Sequence, residues 1–400
     1  MKIQKLVTAG CVLAFLSTFN PQLSTAFGQG SLTPPGPPAP TMKSLDQVEP
    51  RFPISTPTNI TQPGSYYLTG NLTNASGIAV TISVPDVTLD LQGFTVYAVQ
   101  ALVISATNGT FNIRNGTLQS LGGVSVAMSA AATPGLTVES LHIVGWATGV
   151  LGGDAFRGER LTFLDHGDNE CILVGSNSVV REIQVVGGRS RTAIEVGDDS
   201  VVEDCEINRL GRSFTAGTTD GIQVANHGLV RHCTVGNCNS AGNSFIGILT
   251  GQSSKVADCV VAGNTSTTSL IGIIVGYSCS VERCVASQNN GGDGISVYWA
   301  CRAAGNLCSG NTGAGIYVSV GGTESRIEDN NLAGNGYGLR VDGSGNLIIR
   351  NSASGNSINY VIAANNKVGP IVAAPNSAAI SGSTGGLGVG STDPWANVSF

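Results

Sequence analysis

Charged side chains are scarce in this sequence: Asp, Glu, Lys and Arg make up 12% of 400 residues. Aromatic residues are 6%, and there are three methionines and four histidines. That profile excludes helical bundles and coiled coils, which need charged outer faces and long flexible side chains. The net charge is −6, so no basic field draws the chain to nucleic acid. None of the ten cysteines forms a CxxC pair or sits in a His-Cys cluster, which excludes a zinc site of the usual spacing. Past the N-terminus no apolar run approaches the length of a membrane span. What is abundant is glycine, at 55 residues, beside many valines and isoleucines. Short strands joined by tight turns need that combination.

Lys2 and Lys5 precede an apolar run from Leu6 to Phe19, followed by small residues at Ser24-Thr25-Ala26 and Ala26-Phe27-Gly28. Residues 1–28 therefore read as a signal peptide, placing the mature chain outside the cytoplasm, secreted, periplasmic or at the cell surface. Its removal takes the net charge to −8 and leaves nine cysteines, an odd number that cannot all pair within one chain. Residues 29–42, with "SLTPPGPPAPTM", read as an extended proline-rich linker.

Beyond a cap segment at 43–76, one phrase recurs: a small residue, an aliphatic, any residue, an aliphatic. Its first aliphatics are Ile78, Leu102, Val124, Val150, Ile172, Ile194, Ile222, Ile248, Ile273, Ile295, Ile316, Leu339 and Val361. Alternation inside each phrase means a strand with one buried face. Recurrence roughly every 20–28 residues means a solenoid. The leucine pattern of leucine-rich repeats is missing, and each period holds further apolar patches, as in "SVVREIQVV" (178–186). The fold class expected is all-β: a single-stranded right-handed parallel β-helix of about 13 coils over 77–368. A Gly/Ser-rich tail or cap follows at 369–400.

Stacking coils places equivalent residues in columns. Cys205, Cys233, Cys259 and Cys284 fall in one phase and read as small core residues, since parallel stacked side chains bridge poorly. Cys279 and Cys301 share another phase, where a disulfide is open. Asn264, Asn289, Asn311 and Asn356 suggest a turn column of stacked amides. Glu159, Arg181, Glu203 and Arg231 alternate in sign, as do the residues beside them. They read as exposed ion-pair ladders and are set aside from any site.

The stretch "PGSYYLTGNLTNASGIAVTISVPDVTLDLQGFTV" (63–96) and the ending "DPWANVSF" (393–400) resemble those of secreted bacterial right-handed parallel β-helix repeat proteins of the pectin-lyase-like superfamily. The resemblance covers residues 43–400 and implies that fold. Superfamily relatives include pectate lyases, polygalacturonases, alginate epimerases and non-catalytic surface proteins. "GTTDGIQV" (217–224) resembles the Asn-Thr-Asp motif of polygalacturonases, but Asp198-Asp199 precedes it and Asn226-His227-Gly228 follows in another phase. That order does not fit, and Asp293-Gly294-Ile295 repeats the phrase with no motif around it.

Three segments just before successive marker strands carry the remaining charge. "FLDHGDNE" (163–170) supplies Asp165, His166, Asp168 and Glu170; "GRSRT" (188–192) supplies Arg189 and Arg191; "GTTDG" supplies Asp220. Two roles are open. In a lyase or epimerase, Arg189 or Arg191 holds a uronate carboxylate and His166 acts as base or acid, with Asp165 and Asp168 binding Ca²⁺. In a hydrolase, Glu170 and Asp220, two coils apart, serve as acid and base. Tyr277, Tyr298, Trp299 and Tyr337 lie close in register and can stack on sugar faces. Longer coils after Ile194, Ile222 and Ile248 can wall a groove. The functional expectation is a monomeric protein that binds or acts on extracellular polysaccharide. The alternative is a non-catalytic structural or adhesive solenoid of the cell surface or matrix.

Overall fold

The structure, a computed structural model, describes residues 50–122, 126–211, 218–373 and 392–400. The segments read as a signal peptide and a proline-rich linker, Cys11 and most of the tail lie outside the described residues. Every strand pairing is parallel, and about 14 turns stack into a β-helix with three sheets along its length. No helix of the described residues is long and apolar enough to cross a membrane.

One coil shows the pattern. Ile172–Val174 lies in the first sheet, Val179–Arg181 in the second and Gln184–Val186 in the third. The next coil repeats it with Thr192–Val196, Val201–Glu203 and Glu206–Asn208. A three-residue strand buries too little to stand alone, so each rung is stable only between its neighbours. The inward aliphatics of the first sheet, from Val150 through Ile172, Ile194 and Ile222 to Leu339, are fully buried.

From Val150 to Leu339 the observed register follows the marker series residue for residue. At the ends it departs. Val80, not Ile78, stands beneath Leu102, because the register shifts between Asn74 and Ile78. Val124 lies outside the described residues, and Met128 occupies that column. Tyr360, not Val361, pairs with Leu339. Rungs begin already at Phe52–Ile54 and Thr58–Ile60, within the segment read as a cap.

The corner between the second and third strands is a single left-handed residue. Arg160, Glu182, Asp204, His232, Asp258 and Arg283 occupy it with φ of 53–56°. Such φ costs an L-residue about 1–2 kcal/mol, and the next coil uses Gly305 there. These side chains project outward and pair along the stack. Arg283 meets Asp258 at 2.7 Å and His232 lies 3.5 Å from Asp204, while in the adjoining column of the second sheet Arg181 reaches Glu159 at 2.5 Å.

The inner corners hold polar ladders. One runs through Asn264, Asn289, Asn311, Asn335 and Asn356. A second begins as the cysteine column Cys205, Cys233, Cys259 and Cys284, then continues as Asn306, Asn330, Asn351 and Asn397. All nine described cysteines are buried free thiols. Cys279 and Cys301 are not bridged: each donates to a backbone carbonyl, of Gly251 and Gly276, at 3.0 Å. Burial pushes the thiols of Cys171 and Cys238 up to about 12. A thiol reagent added to the native protein is therefore expected to modify none of these nine, with full reaction only after denaturation. Rapid labelling of Cys279 or Cys301 in the native state would contradict the packing.

Candidate functional site

The candidate residues separate into two groups. Asp165 is a left-handed corner residue with φ of 50° at the end of the third-sheet strand Arg157–Leu164. The position after this corner is the interior one, taken by Trp146 in the preceding coil and by Asn264 and Asn289 in later ones. His166 falls there, so it is 2% exposed. Its Nδ1 lies 3.3 Å from Ser190 Oγ, its ring packs edge-on to Phe163, and its Nε2 has no partner. Burial pushes the imidazole down to about 4, so it is neutral at physiological pH.

Outside this corner a cavity of about 380 Å³ is lined by Asp165, His166, Asp168 and Arg189 with the backbone around Trp146 and Gly188. Gly188, at φ +92°, has no room for a side chain, since a Cβ would come within 2.6 Å of the His166 backbone. Arg189 and Asp168 are exposed and 3.7 Å apart. Glu170, Arg191 and Asp220 do not line this cavity.

Those three lie on the outer face of the first sheet. Asp220 is in the strand Thr218–Val224, in register with Thr192 below and Ile246 above. Glu170 is one coil below Thr192, two rungs or about 9.6 Å from Asp220. Arg191, in the coil between, forms a 2.5 Å ion pair with Glu170 and lies 3.6 Å from Glu195. Glu195 was missed in the sequence because it sits inside a marker strand. Its immediate column neighbours, Leu173, Gln223 and Leu249, are uncharged and give no sign of a site.

Asp220 is 7% exposed and its Oδ1 has no hydrogen-bond partner. Burial, helped by the Glu195 carboxylate and opposed by Arg191, pushes it up to about 7. Asp293 occupies the same column and the same Asp-Gly-Ile phrase. Its Oδ1, however, accepts the Ala314 backbone N–H at 2.6 Å. One Asp-Gly-Ile phrase thus serves the backbone of the next coil, and the other leaves its carboxyl oxygen uncommitted.

The aromatic candidates also divide. Tyr277, Tyr298 and Trp299 form an exposed trio on the turns after the strands Thr265–Val275 and Asn290–Val297, with ring centroids 6.2 and 6.4 Å from Tyr277. Tyr337 stands apart on the first-sheet face, where Arg340 lies over its ring and that of Tyr317.

The family described as NosD, periplasmic copper-binding protein, matches residues 168–369, just over half of the chain. The chain belongs to the NosD family. No curated protein matches it. Among solved structures it is similar to the A-module of mannuronan C-5 epimerase AlgE6 of Azotobacter vinelandii, at 15% identity and a TM-score of 0.50, covering 79% of this chain and 92% of that one. The AlgE4 A-module of the same organism aligns at 14% identity and 0.41, covering 71% and 90%. The periplasmic alginate epimerase AlgG aligns at 12% and 0.37, covering 77% of each. At such identities the likeness is one of fold.

Copper, named in the NosD description, does not fit the donors present. Among the described residues no three His, Cys, Asp or Glu side chains converge as a metal-binding group. The thiols that would suit copper are buried, Cys279 and Cys301 donate to backbone carbonyls, and Cys171 and Cys238 are held protonated. His227 and His232 are exposed and face Asp199 and Asp204. No chemistry below is routed through copper.

Proposed function

We propose that the chain is an extracytoplasmic, monomeric protein that binds polysaccharide along the outer face of its first sheet and hydrolyses a glycosidic bond there. The observation that carries this reading is the buried, unpartnered Asp220 carboxyl, protonated up to about pH 7, two coils from Glu170. A separation of about 9.6 Å lies at the upper end of the range for inverting carboxylate pairs, which leave room for a water. Asp220 gives its proton to the leaving glycosidic oxygen. Glu170, held in place by Arg191, takes a proton from the water that attacks the anomeric carbon from the opposite side. The configuration inverts, and the two carboxyls exchange protonation states until solvent resets them.

The lyase or epimerase role is less well supported. It needs a cation to hold the uronate carboxylate, and Arg191 is already engaged by Glu170 and Glu195 while His166 is neutral and turned inward. The assay is the release of new reducing ends from purified polysaccharides, with and without a chelator. Ca²⁺ is included because Asp165 and Asp168 border the corner cavity. Asp220→Asn and Glu170→Gln, folding normally, are each expected to lower turnover 10²- to 10⁴-fold. The fresh product is expected to show inverted anomeric configuration by NMR. Retained turnover in both variants would sink the assignment. The exposed aromatic trio favours a second reading, a non-catalytic binding module: no reducing ends would appear, and glycan retention would be lost in Trp299→Ala.

A further inference from the structure

The outer face of the first sheet continues beyond Asp220, and its chemistry restricts what can lie along it. Among the described residues its charged side chains are Glu170, Glu195, Asp220, Asp293 and Asp342 against two arginines, Arg191 and Arg340. Both arginines are committed. Arg191 holds Glu170 at 2.5 Å, and Arg340 holds Asp342 at 2.7 Å while lying over two tyrosine rings. A carboxylate on each sugar would therefore meet a net negative field, with no arginine among the described residues of this face left to receive it.

Three further features point to a ligand of opposite charge. Asp220 Oδ1 is a buried acceptor without a donor, a state that costs about 1–3 kcal/mol until a ligand N–H or O–H supplies one. Two and three coils further along, Tyr277, Tyr298 and Trp299 stand exposed. Among the described residues no arginine lies over these three rings, whereas Tyr67, Tyr317, Tyr337 and Trp395 each carry one. Uncovered aromatic faces attract ammonium groups as well as the apolar sides of sugar rings. Between Asp220 and the trio, Ile246, Leu249, Ile271 and Ile274 form a half-buried aliphatic strip that suits the flat face of a pyranose.

Resting on the polysaccharide reading above, we propose that this face selects an amino-sugar polysaccharide, a polycation, and rejects uronate polymers. The chain crosses the face obliquely, with amines directed at the carboxylates beside Asp220, Glu195 foremost, an O–H directed at Asp220 Oδ1, and rings lying on the aliphatic strip and the aromatic trio.

The test is calorimetry at pH 6.5 and 7.0 with three hexamers: glucosamine with free amines, its N-acetylated neutral counterpart, and galacturonate. The free-amine hexamer is expected to bind at least tenfold more tightly than the neutral one, weakening as salt rises from 25 to 200 mM. The galacturonate hexamer is expected not to bind. Glu195→Gln and Trp299→Ala are each expected to weaken the free-amine hexamer at least fivefold. Binding of galacturonate, or equal binding of the neutral hexamer, overturns the amino-sugar assignment and leaves the polysaccharide reading standing. Failure of all three to bind, in protein that also releases no reducing ends from any polymer, overturns both.

Discussion

Asp220→Asn is expected to make the protein more stable above pH 7 and, at the same time, visibly acid-labile. Two buried groups with opposite linkage produce this result. Asp220 holds its proton up to about pH 7 in the folded state, whereas an unfolded aspartate releases it near pH 4. Between those values the native state binds the extra proton, so stability falls as pH rises from about 4 to about 7. His166 behaves the other way. It stays neutral in the fold down to about pH 4, while the unfolded imidazole takes up a proton near 6.5. Its contribution is complete above about 6.5 and is lost as pH falls toward 4. Each effect is worth at most roughly 3–4 kcal/mol, at about 1.4 kcal/mol per pH unit of displacement.

Over most of pH 4 to 6.5 the two slopes nearly cancel, and the wild-type protein should show a flat stability profile there. Asp220→Asn removes one slope and leaves stability dropping as pH falls. His166→Gln removes the other and leaves stability dropping as pH rises toward 7. Below about pH 4.5 a third process, common to all three proteins, sets in. Hydrogen bonds from Arg326 and Arg302 hold Glu328 down at about 2, and its protonation destabilises the fold as pH approaches that value. Guanidinium denaturation midpoints taken at half-unit steps from pH 4 to 8.5 would read all of this. A wild-type profile with a steep slope near pH 5.5 that neither variant alters would refute the linkage.

The sequence disclosed the coil register from Val150 to Leu339 because a phrase of small residue and aliphatic, most often glycine and isoleucine, marks every rung of the first sheet there. It failed toward the N-terminus because the long strand Leu72–Ile82 shifts its pairing between Asn74 and Ile78, an irregularity that leaves hydrophobic alternation intact. The exposed ion-pair columns were legible because opposite charges recur at one period. The separation of His166 from Glu170 and Asp220 was not. All precede marker strands, yet four residues divide an inward corner position from an outward strand position, and only φ at Asp165 decides which is which. Asp220 and Asp293 look alike in sequence, and their difference rests on whether the next coil offers a backbone N–H.

Asn330→Ala is expected to cost about 3–5 kcal/mol, far more than any surface substitution in the chain. Its side chain makes four hydrogen bonds inside the corner of the coil. Nδ2 donates to the Ala303 carbonyl at 3.0 Å and to Asn351 Oδ1 at 2.9 Å. Oδ1 accepts from the backbone N–H of Asn306 at 3.0 Å and from its Nδ2 at 2.9 Å. Truncation leaves partners in the two neighbouring coils unpaired and buried, each costing about 1–3 kcal/mol. A ladder also propagates the fault, because each amide orients the next. The end of the ladder makes the same point. The chain returns after Ile371–Ala373 and inserts Asn397–Ser399 between that strand and Ser352–Ser354. Asn397 Oδ1 then accepts from Asn351 at 2.9 and 3.1 Å, so the terminal "DPWANVSF" supplies the last rung of the same column. Arg283→Ala, which breaks an exposed pair with Asp258, should by contrast change stability by no more than about 0.5 kcal/mol. Urea denaturation of the two variants side by side decides the matter. If Asn330→Ala were no more costly than Arg283→Ala, the buried amide column would not be what holds the coils in register.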